Sequence, residues 1–449
     1  MHQADLPTVL REWGRIGCVG FGGPPTHIAL LRKLCVDDRR WLSAQEFEDA
    51  IAACNLLPGP ASTQLAIFCA WRVRGRPGAL AGGAAFILPG LIVILALSAL
   101  FLRGNPPLWV TAAGAGAGAA VAAVAAQAGL SLMPPGWKRA PEHSSRRRWL
   151  FYLLLGAAAA ATVGPWLVLL LIACALTEVL AQRPHSAASP DSAPPQSAPL
   201  QSGPSQSGPS QGPPTQSAPP RNSPPHSAPT QSGPTQNGSP GAGPAPSAWR
   251  RLFRRPPRPG VAVLAMTGLG GGVLLSVAWV ALKVGALSYG GGFVIIPLMQ
   301  ADAVDHYRWM TDAQFLNAVA LGQITPGPVV HTVAVVGYAA AGLVGGLLAA
   351  AVAFGPSFAF ILMGAHRFDQ LRANPRVRAF LDGAAPAAIG AILGSIVPLV
   401  RALDQPWQYA VLAGAAILTL LLRRGPVLTL LTAATAGTLI VLAGAPLPQ

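Results

Sequence analysis

Two proline-glycine-proline triplets, Pro58-Gly59-Pro60 and Pro326-Gly327-Pro328, stand in apolar surroundings with hydrogen-bonding side chains close behind. Ser62, Thr63 and Gln64 follow the first, His331 and Thr332 the second. Glycine-rich breaks precede them: Gly22, Gly23 and Pro24 lead to Thr26 and His27, and Tyr289 leads to Gly290, Gly291 and Gly292. A helix that restarts after such a break presents unpaired N–H groups and the positive end of its dipole. Glycine lets the backbone itself come close. The chemistry that fits is a grip on a small tetrahedral oxyanion, since a cation would want carboxylates at the breaks. The plain alternative, that these side chains only satisfy backbone at kinks, stands beside it residue by residue.

The elements that must position these groups come in two copies. Ile16–Ala66 lies over Val284–Ala334 without a gap at an offset of 268 residues, so that Gly22 falls on Gly290, Asp37 on Asp305, Trp41 on Trp309, Phe47 on Phe315 and Pro58 on Pro326. A duplicated apolar chain with helices broken at matching places puts its working site between the halves. Ser43 to Glu46 and Thr311 to Gln314 read as capping boxes that open helices ending at the triplets. Each such helix, of roughly 14 residues, reaches about 21 Å, short of the roughly 30 Å hydrocarbon core. The expectation is a hairpin that enters the membrane, turns at the triplet and returns, its unpaired backbone facing protein or a water-filled cavity.

Composition sets the class. Hydrophobic residues make up 52% and charged residues 10%, against roughly 25% charged in soluble domains. The reading is an all-α polytopic membrane protein of two inverted-topology repeats with broken, re-entrant helices. Full spans are expected at 78–102, 108–132, 150–163, 166–181, 261–282, 344–365, 379–400, 409–422 and 427–443, with broken segments at 17–36, 43–73, 285–301 and 311–341. Gly164-Pro165 offers a way to join two of the short spans into a re-entrant pair. The net charge of +15 is spread in short clusters between apolar runs, which marks topology and excludes a nucleic-acid face. Arg32, Lys33, Arg39, Arg40, Arg72, Arg74 and Arg76 fill the first two loops of the first half, whereas the basic residues of the second half gather later, at Arg367, Arg372, Arg376 and Arg378. Equivalent loops on opposite faces are what an inverted repeat demands.

The domains are 1–182, a linker at 183–259 and 260–449. The linker is rich in Pro, Ser, Gln and Gly, cannot bury a core and ends in a basic cluster from Arg250 to Arg258. It and the N-terminus, which lacks a signal-peptide core and begins the first repeat, are assigned to the cytoplasm. The five cysteines form no CxxC pair and read as packing residues. His366 and Glu178 read as interfacial residues. No nucleotide-binding loop, zinc-protease pattern or nucleophile elbow is present, so neither an enzyme nor a cofactor or metal is expected.

Taken in order, Gly17, Phe21-Gly-Gly-Pro24, His27, Asp37, Trp41, Pro58-Gly-Pro60, Gln64 and Leu88-Pro-Gly90, then Tyr289-Gly-Gly-Gly292, Trp309, Gln323, Pro326-Gly-Pro328 and Gly337-Tyr338, closely resemble the chromate transporter family. The resemblance covers nearly the whole chain outside the linker. It implies a long-chain, two-domain carrier of the inner membrane that exports chromate, conferring resistance, on the membrane potential or proton gradient. It also implies an anion pocket at Gly22, Gly23, Pro24, Thr26, His27, Pro58, Gly59, Pro60, Ser62, Thr63 and Gln64 of the first half and at Gly290, Gly291, Gly292, Gln323, Pro326, Gly327, Pro328, His331 and Thr332 of the second. Arg72 would draw in the dianion or serve as a plain topology residue. Ile295 stands where the first copy has His27, a departure that lets one half dominate binding. Glu46 and Asp49 face Gln314 and Asn317 in the alignment, which makes them proton-coupling candidates or simple dipole-complementing charges. A sulfate-like oxyanion carrier and an oxyanion-gated channel or sensor remain open beside chromate export. One chain or a homodimer would serve.

Overall fold

The computed structural model describes residues 4–54, 57, 59–102, 106–138, 143–162, 167–181, 269–288, 293–364 and 374–448. The linker and its basic cluster, Pro58, Gly290, Gly291, Gly292, Gly164-Pro165 and His366 lie outside the described residues. All helices below fall in one contact unit, Met1–Pro184 with Ala265–Gln449.

In the first half α1 (Leu6–Val19) ends at Gly20, and Gly22 and Gly23, both with positive φ, turn the chain into α2 (Pro24–Arg32). A π-helical turn, Lys33–Asp38, follows, and then α3 (Ala44–Cys54). The Ser43 box forms as expected: Glu46 N–H donates to Ser43 Oγ at 3.1 Å and Ser43 N–H to Glu46 Oε2 at 3.0 Å. Past the triplet runs α4 (Ala61–Phe101), then α5 (Leu108–Lys138), α6 (His143–Thr162) and α7 (Leu167–Ala181). The second half repeats the order with α8 (Leu269–Leu287), α9 (Ile295–Gln300), a π-helical turn (Ala301–His306) and α10 (Asp312–Ile324), which Thr311 and Gln314 cap as a complete box. A 3-10 turn, Val329–His331, leads into α11 (Thr332–Gly364), and α12 (Pro375–Gly394), α13 (Ile396–Arg401), α14 (Pro406–Ala416) and α15 (Pro426–Leu442) complete the chain.

The copies share unusual backbone. Arg40 and Arg308 both sit in the left-handed region, at φ 51° and 55°, where a side chain is strained. In each copy the next residue closes the π turn, Trp41 N–H onto Cys35 O and Trp309 N–H onto Ala303 O, both at 2.8 Å. The long helices also break alike, at Arg74-Gly75 (Gly75 φ 64°, ψ −153°) and Ala341-Gly342 (Gly342 φ 61°, ψ −152°).

Each return limb ends where expected: the backbone leaves the helical region at Arg74-Gly75 and at Ala341-Gly342, the glycine accepting the positive φ of the turn. The next span packs back on the limb, Gly78 and Gly82 against Ala70 in the first copy and Gly345 and Gly346 against Gly337 and Ala334 in the second. Among the described residues four helices are long and apolar enough to cross a bilayer, Ala61–Phe101, Leu108–Pro134, Val329–Gly364 and Pro375–Arg401, and each contains or covers one of the expected full spans. Leu167–Ala181, Gly271–Leu287, Pro406–Leu421 and Pro426–Leu442 are shorter apolar helices. The molecule is thus an all-α, multi-span helical protein.

The halves interlock. Within each copy the first helix lies along the long broken one, α1 on α4 and α8 on α11, and the two long helices meet each other. The helix after the long one crosses over: α12 packs against α6 and α7, while α5 packs against α14 and α15. Small residues permit this. A methyl at Gly156 or Gly390 would overlap the backbone of the facing helix at Ala387 or Leu153, and Gly116 and Gly437 meet backbone to backbone. Such close approach is the usual route to helix association in lipid.

Candidate functional site

The second triplet docks on the first half. Gly327, at φ 91°, donates its N–H to the carbonyl of Gly20 at 3.0 Å. The same carbonyl receives His27 Nε2 at 2.9 Å. This fixes the tautomer: Nε2 carries the proton, and Nδ1, 3.4 Å from Ser62 Oγ, is left to accept. The His27 ring stands edge-on to Phe86, centroids 5.0 Å apart. Gly90 packs under Pro326 and His331, and Gly23 against Val329. Conversely, Gly59 (φ 117°) faces Gly285 and Ser357 of the second half and Gln64 of its own. Each triplet therefore closes onto the other half's first helix or long helix.

Polar side chains at this junction are buried and incompletely bonded. His27, Ser62, Thr63, His331 and Thr332 are at most 2% exposed. His331, edge-on to Phe354 at 5.2 Å, has no hydrogen-bond partner of ordinary geometry on either ring nitrogen, with the Ile87 backbone as a polar neighbour. Thr63 Oγ1, Gln323 Nε2, Ser288 Oγ and Ser357 Oγ are likewise buried without a partner. Thr332 donates to Val329 O at 2.9 Å. Buried polar atoms are nearly always satisfied, and a cluster of exceptions calls for a ligand, water or ion. Hydroxyls, an amide NH₂ and imidazole beside two glycine turns can donate hydrogen bonds to an oxyanion; no carboxylate is among these groups.

The structure brings together Gly22, Gly23, Pro24, His27, Pro60, Ser62, Thr63 and Gln64 with Pro326, Gly327, Pro328, His331 and Thr332; Thr26 is half-buried beside Gly22. Glu46 and Arg72 pair with each other on the outer part of α3 and α4, and Asp49 accepts from Gln45 at 3.2 Å. These three are not in the junction cluster. Glu178 is buried, not interfacial: it receives Arg148 Nε at 3.0 Å, Arg148 Nη2 at 3.1 Å and the Tyr152 hydroxyl at 3.1 Å. Sequence reasoning missed Gly20, Phe86, Ser288, Phe354 and Ser357. A signal existed for the serines, since Ser288 falls on Gly20 at offset 268 and Ser357 on Gly90 at 267, where Pro356 and Pro89 also coincide. Among the described residues no group of His, Cys, Asp and Glu is placed to hold a metal ion.

The chain matches the chromate transporter family pattern over residues 8–178 and 275–438. It is 28% identical over 411 residues to the chromate transport protein of Cupriavidus metallidurans, covering 90% of this chain and 85% of that one. The chromate transport protein of Pseudomonas aeruginosa is 27% identical over 399 residues, covering 88% and 82%. A probable chromate transport protein of Synechococcus elongatus is 27% identical over 402 residues, covering 89% and 86%. No solved structure matches. With both halves matched on either side of the linker, the chain belongs to the chromate transporter family, a family of transporters and not of enzymes, in its long-chain, two-domain form.

Proposed function

We propose that this protein exports chromate from the cytoplasm across the inner membrane by secondary active transport, with two inverted repeats rocking about the junction of the two triplets. The observation that carries the reading is the set of buried, unpartnered groups where each triplet meets the other half. These include Thr63, Gln323, His331 and Ser357, with Gly59 and Gly327 supplying close backbone. Their burial supports an occluded conformation, in which substrate would be shielded from both sides. The names of the relatives support chromate over other oxyanions. Chromate and sulfate share size, shape and charge, so a pocket of N–H and hydroxyl groups distinguishes them weakly. Glu46 is engaged by Ser43 and Arg72 and Asp49 by Gln45; the two stay the proton-coupling candidates of the first half.

The test is uptake of labelled chromate into inverted vesicles, with and without a proton ionophore and with excess sulfate. Ionophore-sensitive accumulation above empty vesicles supports export. Uptake only in right-side-out vesicles would indicate an importer. Silence in both, with an oxyanion response abolished by deleting 190–240, would favour a sensor. Cysteine accessibility at Arg74 and Ala340 tests the inversion: labelling from the same face would rule it out.

A further inference from the structure

Among the described residues, His331 alone has two buried side-chain atoms without a hydrogen-bond partner, its ring nitrogens Nδ1 and Nε2. The residue is fully buried on the 3-10 turn that leads into α11. Phe354 of α11 stands edge-on to the ring. Two glycines abut its Cε1–Nδ1 edge: a Cβ at Gly90 of α4 would lie 2.8 Å from Cε1 and 2.9 Å from Nδ1, and one at Gly327 3.1 Å from Cε1. A side chain at either place would cover that edge, and glycine leaves it bare. A neutral imidazole has one donor and one acceptor nitrogen, so both of its hydrogen-bonding needs are unmet here.

The surroundings bring no fixed charge. The ring meets His27 from α2, Ile87 and Gly90 from α4, Phe354 from α11, and Pro326 and Gly327 from the triplet. Among these described residues His27 is the titratable one, and none is Lys, Arg, Asp or Glu. His27 is already engaged, with Nε2 donating to the Gly20 carbonyl at 2.9 Å and Nδ1 lying 3.4 Å from Ser62 Oγ. A tetrahedral dianion held by Thr63, Gln323, Ser357 and His331 therefore meets donors but no positive charge, and burying a charge uncompensated is costly. A neutral His331 would also turn its bare nitrogen toward an oxygen lone pair. The protonated ring donates from both nitrogens, whereas a dianion only accepts. An opposite charge in contact favours the charged ring. Without the anion, that ring would itself be a buried charge with no counter-charge.

We propose that His331 takes up one proton as the oxyanion enters the junction and gives it back as the anion leaves, so that a proton travels with each anion. In the step, hydronium gives its proton to the bare ring nitrogen, leaving water and an imidazolium whose two N–H groups donate to anion oxygens; the reverse releases proton and anion together. Chromate, a dianion, then crosses with one net negative charge, which a membrane potential negative inside drives outward and an acidic exterior opposes. The first half has no such carrier at the equivalent place, since Thr63 stands for His331. The inference rests on the transport reading above and deepens it by seating the proton in the substrate site.

The test titrates the purified full chain with chromate in weakly buffered solution containing a pH dye, well above the pH at which free chromate binds a proton, while bound labelled anion is measured. About one proton per bound anion is expected for chromate and equally for bound sulfate, because the proton is on the protein, and affinity should fall as pH rises. Binding without proton uptake overturns the proposal and leaves the transport reading standing. Uptake with chromate but none with bound sulfate puts the proton on the anion and overturns it too, and no binding of either anion overturns both readings. His331→Gln keeps a donor and an acceptor but cannot hold the proton. It is expected to take up none, to lose the pH dependence and to bind chromate about tenfold more weakly, on the scale of one buried hydrogen bond to a charged group. Wild-type proton uptake in His331→Gln overturns the assignment. Should that variant fail to fold, nitrogen-15 NMR of histidine-labelled wild type decides: chromate must convert one ring to the doubly protonated pattern, other than that of His27, whose signals His27→Asn identifies. No such conversion overturns the proposal.

Discussion

At the first triplet Gly59 faces Gly285 and Ser357; at the second Gly327 faces Gly20 and hydrogen-bonds its carbonyl. The backbone logic is the same and the side chains differ. His27 of the first half has Ile295 as its counterpart, Thr63 has His331, and Gly90 has Ser357. Each half also ties its first helix to its π turn with an ion pair of opposite sense. In the first, Arg39 on the turn reaches Glu12 on α1 at 2.6 Å; in the second, Lys283 on α8 reaches Asp302 on the turn at 2.5 Å. The second pair is the more buried, with side chains 18% and 8% exposed against 49% and 12%. A fused duplicate lets one scaffold carry two chemistries, because the turns depend on glycine, proline and capping, not on the groups that line them.

The interlock is where the comparison breaks hardest. Gly390→Leu in the α6–α12 seam and Gly116→Leu in the α5–α15 seam force a side chain into facing backbone. Both are expected to lose the folded, monodisperse protein on size-exclusion chromatography. Failure of only one seam would mean that the crossings are not equivalent.

Next comes the difference in ion pairs. Lys283→Met strands the buried Asp302 and is expected to destabilise by about 3 kcal/mol. Arg39→Met removes a half-exposed partner and should cost about 1 kcal/mol or less. Thermal melts of the two variants side by side measure the gap, and equal losses would erase it.

The histidine asymmetry predicts that His27→Ile, which copies the second half into the first, slows chromate uptake about tenfold, on the scale of one lost buried hydrogen bond, because the Gly20 carbonyl beside Gly327 loses its Nε2–H donor. Ile295→His should not compensate in the double variant, because His27 packs against Gly20 where a Cβ would clash with its ring, and the equivalent position carries Ser288. Rates in vesicles, normalised to protein, check both.

The smallest effect is expected at the shared strain. Arg40→Gly and Arg308→Gly each relieve a left-handed conformation and should change stability by about 1 kcal/mol or less, equally in the two halves. A difference between their melting shifts would show that the two turns are not held alike.

Much of the site was legible because its devices are local. Thr311 and Gln314 cap α10 through contacts three residues apart, and Gly59 and Gly327 announce turns by their own conformational range. Ser288 and Ser357 were not legible. A serine in an apolar run carries no local mark, and its isolation follows from what packs over it. The partner of Glu178 was missed for the same reason, since Arg148 and Tyr152 reach it from another helix.

The sequence by itself determined the duplication, the apolar helical class, the breaks and their caps, since each is written within a few residues or in one constant offset. Only the tertiary structure decided that α5 and α12 trade places between the halves, that Gly20 receives both His27 and Gly327, and that Gly90 and Phe354 enclose His331. Those contacts join residues far apart along the chain. They are selected by which helix surfaces allow backbones to approach, a property of pairs of surfaces that neither segment carries alone.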